Sequence, residues 1–118
     1  MSSATEVQPI DLAHLAQYTG GDPRLDAELL QMFAQQCTQT LRRFEALLAA
    51  PDARAWRETA HSLRGAAAGV GARDIADLAG CIEEIDSTGQ PKKAAECLLQ
   101  LESQCEVANA FIDTFLKR

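Results

Sequence analysis

From Ala94 through Leu98, Leu101, Cys105, Ala108 and Ile112 to Phe115, apolar residues recur at alternating steps of four and three. That spacing draws one continuous stripe down an α-helix. No segment of the chain alternates with period two over the length of a strand. A chain patterned in this way can bury its stripes only by packing helix on helix, so the sequence reads as all-α.

The remaining helices follow from their punctuation. Pro9 precedes a short helix from Ile10 to about Tyr18, which Gly20-Gly21 ends. Asp22-Pro23 supplies an N-cap followed by a proline whose missing N–H costs nothing there. From that point Leu29, Phe33, Cys37, Thr40 or Leu41, Phe44 and Leu48 mark a long amphipathic helix to about Ala50. Pro51 opens the next helix, with Trp56, Ala60, Leu63, Ala67 and Val70 on its seam. Asp74 can cap a further one, striped by Ile75, Leu78, Ile82 and Ile85 up to Ser87, before Gly89 and Pro91 interrupt the chain. The expected architecture is an antiparallel four-helix bundle with a short additional N-terminal helix. Residues 1–8 read as a disordered tail and residues 9–118 as a single domain.

Composition narrows the function. The 118 residues carry a formal net charge of −6, and an acidic chain lacks the footprint of a nucleic-acid binder. No apolar run approaches the roughly 20 residues that span a bilayer, and Met1–Gln8 do not read as a secretory signal. No membrane or nucleic-acid partner is therefore expected. Cys37, Cys81, Cys97 and Cys105 show no C-x-x-C spacing. They read as small buried hydrophobes rather than a disulfide or zinc framework, with a reducing, cytoplasmic setting. The positive charges nevertheless gather locally, at Arg42, Arg43, Arg54, Arg57 and Arg64.

The chemistry concentrates at His61. Trp56, Ala60, Leu63 and Ala67 face the core, and His61 follows Ala60 by one residue, about 100° around the helix. It should stand on the helix flank, open to water. Arg57 at i−4 and Arg64 at i+3 share that flank, with Gly65 at i+4 and Ala68 at i+7. Glycine inside a helix costs about 1 kcal/mol relative to alanine, so Gly65 invites a reason such as close approach by another molecule. Two readings compete: an exposed surface histidine beside solvating arginines paired with Glu58, and a phosphoryl acceptor flanked by guanidinium groups suited to phosphate.

His61-Ser-Leu63-Arg64-Gly65, followed by Val70-Gly71-Ala72, resembles the motif of the histidine-containing phosphotransfer (HPt) domain family. The resemblance continues through Ile75, Leu78-Ala79 and Ile82-Glu83, and upstream through Tyr18 to Leu25 with Glu28-Leu29-Leu30 and Phe33. Arg64 stands where lysine is more usual, and Ala66 where many members carry serine.

The resemblance implies a relay in which His61 Nε2 takes a phosphoryl group from a receiver-domain aspartate and passes it to another receiver. Arg64 and Arg57 would offset charge on the phosphoryl oxygens, while Gly65 and Ala68 would admit the partner's active site. Glu83 matches the family position that accepts a hydrogen bond from Nδ1–H; its competing reading is a solvated helix face. The implied partners are response-regulator receivers, one on a hybrid sensor kinase among the candidates, with Mg²⁺ held by the receiver and no cofactor or metal of the chain's own. No ATP-binding segment is present, so autonomous kinase activity is not expected, and a monomer is.

Docking is expected around His61 through apolar residues of the first two helices, such as Leu12, Leu15 or Met32. Gln35 and Gln36 face an uncertain direction, and His14 lacks the arginines and glycine. Two rivals stand beside the relay: a bundle that binds signalling partners without being phosphorylated, and a di-metal bundle. The second normally needs two E-x-x-H pairs, and only Glu58/His61 has that spacing.

Overall fold

The computed structural model describes residues 8–117; of the expected tail, residues 1–8, all but Gln8 lie outside the described residues. The described chain is helical in all its regular structure: α1 (Leu12–Thr19), α2 (Pro23–Ala49), α3 (Ala53–Val70), α4 (Arg73–Glu83) and α5 (Pro91–Leu116). Helices α2 to α5 form an antiparallel bundle in which each packs against the next and α5 returns to α2. The short α1 lies against α2 and α3.

Aspartate caps start the first three helices. Asp11 Oδ1 accepts from His14 N, Asp22 Oδ1 from Arg24 N, and Asp52 Oδ1 from Ala55 N, each satisfying an N–H that the helix leaves unpaired. Pro23 sits at the start of α2 as its spacing from Asp22 predicts. Gly20, left-handed at φ 67°, ends α1.

The turn from α3 to α4 is built differently from the sequence expectation. Gly71 N donates to Ala68 O and Ala72 N to Ala67 O, the paired closure of a Schellman motif with glycine left-handed at φ 84°. The chain then re-enters a helix at once, so α4 is preceded by Ala72, which makes no side-chain cap, and Asp74 lies in the first turn instead of capping. Asp11 N donates to Gly71 O at 2.9 Å, and Arg73 Nη2 meets Asp11 Oδ2 at 2.9 Å. A Cβ on Gly71 would stand 2.7 Å from Asp11 O. The start of α1 is thus fastened to this turn, and glycine is needed there for both conformation and space.

The core contains the expected seams, with adjustments. Trp56, Ala60, Leu63 and Ala67 of α3 are buried, as are Ala94, Leu98, Leu101, Cys105, Ala108 and Ile112 of α5. In α2 Leu30, rather than Leu29, is fully buried with Phe33, Cys37 and Phe44; Leu29, Leu41 and Leu48 pack at its edge. Phe44 and Trp56 meet edge to face with centroids 4.8 Å apart, a geometry that adds to their area burial. Of the cysteines, Cys37 and Cys105 are buried as expected, but Cys97 is half-buried and Cys81 exposed, because Cys81 lies on the outer side of α4 beside buried Ile82.

Helix α4 ends at Glu83 rather than Ser87. Ile85 and Ser87 are still buried, since the connection to α5 folds back over the bundle end. There Asp86 Oδ1 accepts from Thr88 N and Thr88 Oγ1, a side chain-capped turn that competes with continuation of the helix. A buried polar pair also joins α1 to α2: Thr19 Oγ1 donates to Asp26 Oδ1 at 2.6 Å.

Candidate functional site

The buried seam of α3 decides where His61 points. Ala60 and Leu63 are sealed in the core, and the imidazole between them projects outward with its side chain 74 % exposed. Its Nδ1 lies 3.1 Å from Glu83 Oε2, a residue distant in sequence and brought here by the packing of α3 along α4. Glu83 is the last residue of α4 and is itself largely shielded, with 21 % of its side chain exposed. A carboxylate accepts only, so this contact places the proton of a neutral imidazole on Nδ1 and leaves the lone pair on Nε2.

The opposite oxygen of the same carboxylate is also engaged. Arg64 Nη1 donates to Glu83 Oε1 at 3.4 Å, so Arg64 and His61 share one acceptor across the helix pair. Arg57 makes no ion pair among the described residues; it lines, with Arg64, Gly80, Cys81, Glu83 and Glu84, a groove of about 690 Å³ between α3 and α4. Glu58 pairs with Arg54 at 3.0 Å and leaves Arg57 and Arg64 alone. Arg43 Nε donates to Thr59 Oγ1 on the other flank of α3.

Beside the imidazole the helix surface is bare. Gly65 and Ala68 are exposed, and a Cβ on Gly65 would meet nothing within 4 Å. No contact among the described residues requires glycine there; the space it leaves is open to whatever approaches from outside.

Other candidate residues fall elsewhere. Leu15 is completely buried, because it faces the bundle from the inner side of α1, and cannot serve as a docking residue. Met32 is exposed and Leu12 half-buried. Gln35 is exposed and Gln36 half-buried; neither side chain forms a hydrogen bond among the described residues. His14 packs against Tyr18 edge to face, centroids 5.6 Å apart, in a ring contact on α1. No three His, Cys, Asp or Glu side chains among the described residues gather as a metal site, and no described helix is long and apolar enough to cross a membrane.

The ion pair between Arg64 and Glu83 was invisible to helix-face reasoning, which placed Arg64 beside His61 on its own helix. The signal that could have found it is Gly80, an unadorned position one turn before Glu83.

Comparison with known proteins identifies the family of the fold. A family model described as Hpt domain matches residues 28–111, from the first turns of α2 into the second half of α5. Comparison with curated proteins finds no match. Among solved structures, the crystal structure of histidine-containing phosphotransfer protein B from Pseudomonas aeruginosa PAO1 is similar, at 26 % identity and a TM-score of 0.77. That likeness covers 96 % of this chain and 99 % of the other. The chain belongs to the Hpt domain family, the histidine-containing phosphotransfer proteins of phosphorelays.

Proposed function

We propose that His61 is the residue that carries the phosphoryl group, accepting it from an aspartyl phosphate on a response-regulator receiver domain and passing it to the aspartate of another. The observation that carries this reading is the exposed imidazole whose Nδ1 lies 3.1 Å from Glu83 Oε2. With the proton held at Nδ1, the Nε2 lone pair attacks phosphorus in line. The bond from phosphorus to the aspartate oxygen breaks, and the aspartate leaves as a carboxylate. The phosphorylated ring keeps its Nδ1 proton and gains positive charge, which the adjacent Glu83 carboxylate balances.

Phosphoryl transfer asks the acceptor for position and charge compensation more than for covalent machinery. Arg57, without an ion pair among the described residues, and Arg64 are the cations available to the phosphoryl oxygens. Gly65 and Ala68 leave the flank low enough for a receiver's active site to reach the ring, and exposed Met32 is a docking contact on α2. The receiver brings Mg²⁺, and this chain supplies no cofactor and no kinase activity. It acts as a cytoplasmic monomer, and a hybrid sensor kinase is a candidate bearer of the donor receiver.

The test is incubation of the purified protein with a phosphorylated receiver, followed by assay for acid-labile phosphate. Wild type takes up label and His61→Gln, with unchanged helicity, does not. Labelling that persists in His61→Gln overturns the assignment; stable receiver binding without any label favours an adaptor.

A further inference from the structure

Gly80 lies on α4 one turn before Glu83, facing the groove that α4 shares with α3. A Cβ built there meets the Arg64 side chain first, at 3.7 Å from Nε, 3.8 Å from Cδ and 3.9 Å from Cζ. The guanidinium therefore lies over the bare surface of Gly80 at van der Waals distance. From that bed its Nη1 reaches Glu83 Oε1 at 3.4 Å, while Oε2 of the same carboxylate faces His61 Nδ1 at 3.1 Å.

Glycine is a poor helix former, and Gly80 sits inside an eleven-residue helix, so it is not there for the stability of α4. A glutamate at a helix end has three torsions, and Glu83 keeps 21 % of its side chain exposed. Held by a single hydrogen bond to an imidazole, its carboxylate can swing away; held also from the opposite oxygen, it cannot do so without breaking the ion pair.

We propose that Gly80 is a positioning residue: it provides the bed across which Arg64 grips Glu83, and so fixes the carboxylate that holds the His61 proton on Nδ1. The inference rests on the reading of His61 as phosphoryl acceptor for its functional consequence, but not for its structural one. It also assigns Arg64 a task in the unphosphorylated protein distinct from contact with phosphate. An alanine at position 80 is compatible with the bed, since its Cβ would make only ordinary contact. A leucine or glutamine would occupy the space of the guanidinium.

The experiment is nitrogen-15 NMR of the imidazole tautomers in the whole protein, at a pH where both histidines are neutral. The chain has two histidines, and His14 serves as the internal reference. In wild type and Gly80→Ala, His61 is expected as the Nδ1–H tautomer. Gly80→Leu and Gly80→Gln shift it toward Nε2–H and slow phosphoryl uptake about tenfold, the scale of losing a partner that orients a functional histidine, while melting temperature is maintained or raised. Arg64→Ala gives the same tautomer shift, and adding Gly80→Leu to it shifts the tautomer no further.

A wild-type tautomer in Gly80→Leu and Gly80→Gln overturns the proposal. So does an equal added shift from Gly80→Leu in the Arg64→Ala background, or a His61 tautomer unaffected by Arg64→Ala. Failure of the acceptor reading looks different: the tautomer pattern holds, and wild-type His61 takes up no phosphate.

Discussion

The indole Nε1 of Trp56 donates to the main-chain carbonyl of Ile82 at 2.9 Å, fastening the core of α3 to α4 one residue before Glu83. Both residues are buried. The same carbonyl also accepts from Ile85 N at 3.1 Å, so the indole adds a second bond to the last turn of α4 and sets the height at which Glu83 faces His61. The site's geometry is thereby tied to the largest side chain of the core.

Trp56→Phe keeps most of the ring packing against Phe44 but removes the donor. A hydrogen bond of this kind contributes about 1 kcal/mol, and Ile82 O keeps its bond from Ile85 N, so the expected loss in chemical denaturation is about 1 kcal/mol. Phosphoryl uptake should fall as well, because the end of α4 that carries Glu83 loosens. Unchanged uptake in a measurably destabilised Trp56→Phe would separate the bond from the site.

Two glycines, Gly65 within α3 and Gly71 at its C-terminal cap, should answer oppositely to alanine. Gly71→Ala places a Cβ 2.7 Å from Asp11 O on a left-handed residue, a conformation that alone costs about 1–2 kcal/mol, and should destabilise by at least that much. Gly65→Ala meets nothing within 4 Å and should stabilise by about 0.5–1 kcal/mol, yet slow transfer by raising the surface beside His61. Thermal denaturation paired with a transfer assay checks both. A Gly65→Ala protein that transfers at the wild-type rate would remove steric access as the reason for glycine.

The Thr88 hydroxyl, with the backbone N–H groups of Gly89 and Thr88, holds the Asp86 carboxyl below its ordinary value of 3.8. A depressed folded-state value means that the contribution is complete above the ordinary value and fades as pH falls through the folded one. Asp86→Ala should therefore lower stability at pH 7 by more than it does at a pH below the ordinary value of 3.8. Urea denaturation at the two pH values measures the difference; a gap that stays constant on acidification would contradict the ionic origin.

The cysteines should differ sharply in reactivity. The hydrogen bond with the Cys105 thiol, and then burial, hold Cys37 far above the ordinary thiol range, and both side chains are sealed between α2 and α5. Cys81 is exposed. With a thiol reagent under native conditions, Cys81 should react first and Cys97, half-buried, more slowly, while Cys37 and Cys105 require unfolding. Rapid labelling of Cys37 would mean that α2 and α5 part readily.

The helices were legible because their signals are local: an aspartate cap before α2, a proline at its first turn, and stripes with helical spacing. Ends were less so. The stop of α4 at Glu83 depends on the Asp86 turn and on burial of Ser87 in the fold-back, which no stripe encodes. The exposure of His61 followed from one rotation past Ala60. Its pairing with Glu83 did not, since it joins two helices; only the family resemblance pointed there. The sharing of Glu83 with Arg64, the burial of Leu15 and the Thr19–Asp26 bond likewise depend on how helices face one another.

Phosphorus-31 and nitrogen-15 NMR of the protein after transfer from a phosphorylated receiver test the central claim most directly. The account predicts one phosphoramidate whose phosphorus is bonded to Nε2 of His61, with Nδ1 still protonated. Phosphorus on Nδ1 of His61, on His14, or on any carboxylate or hydroxyl would contradict it.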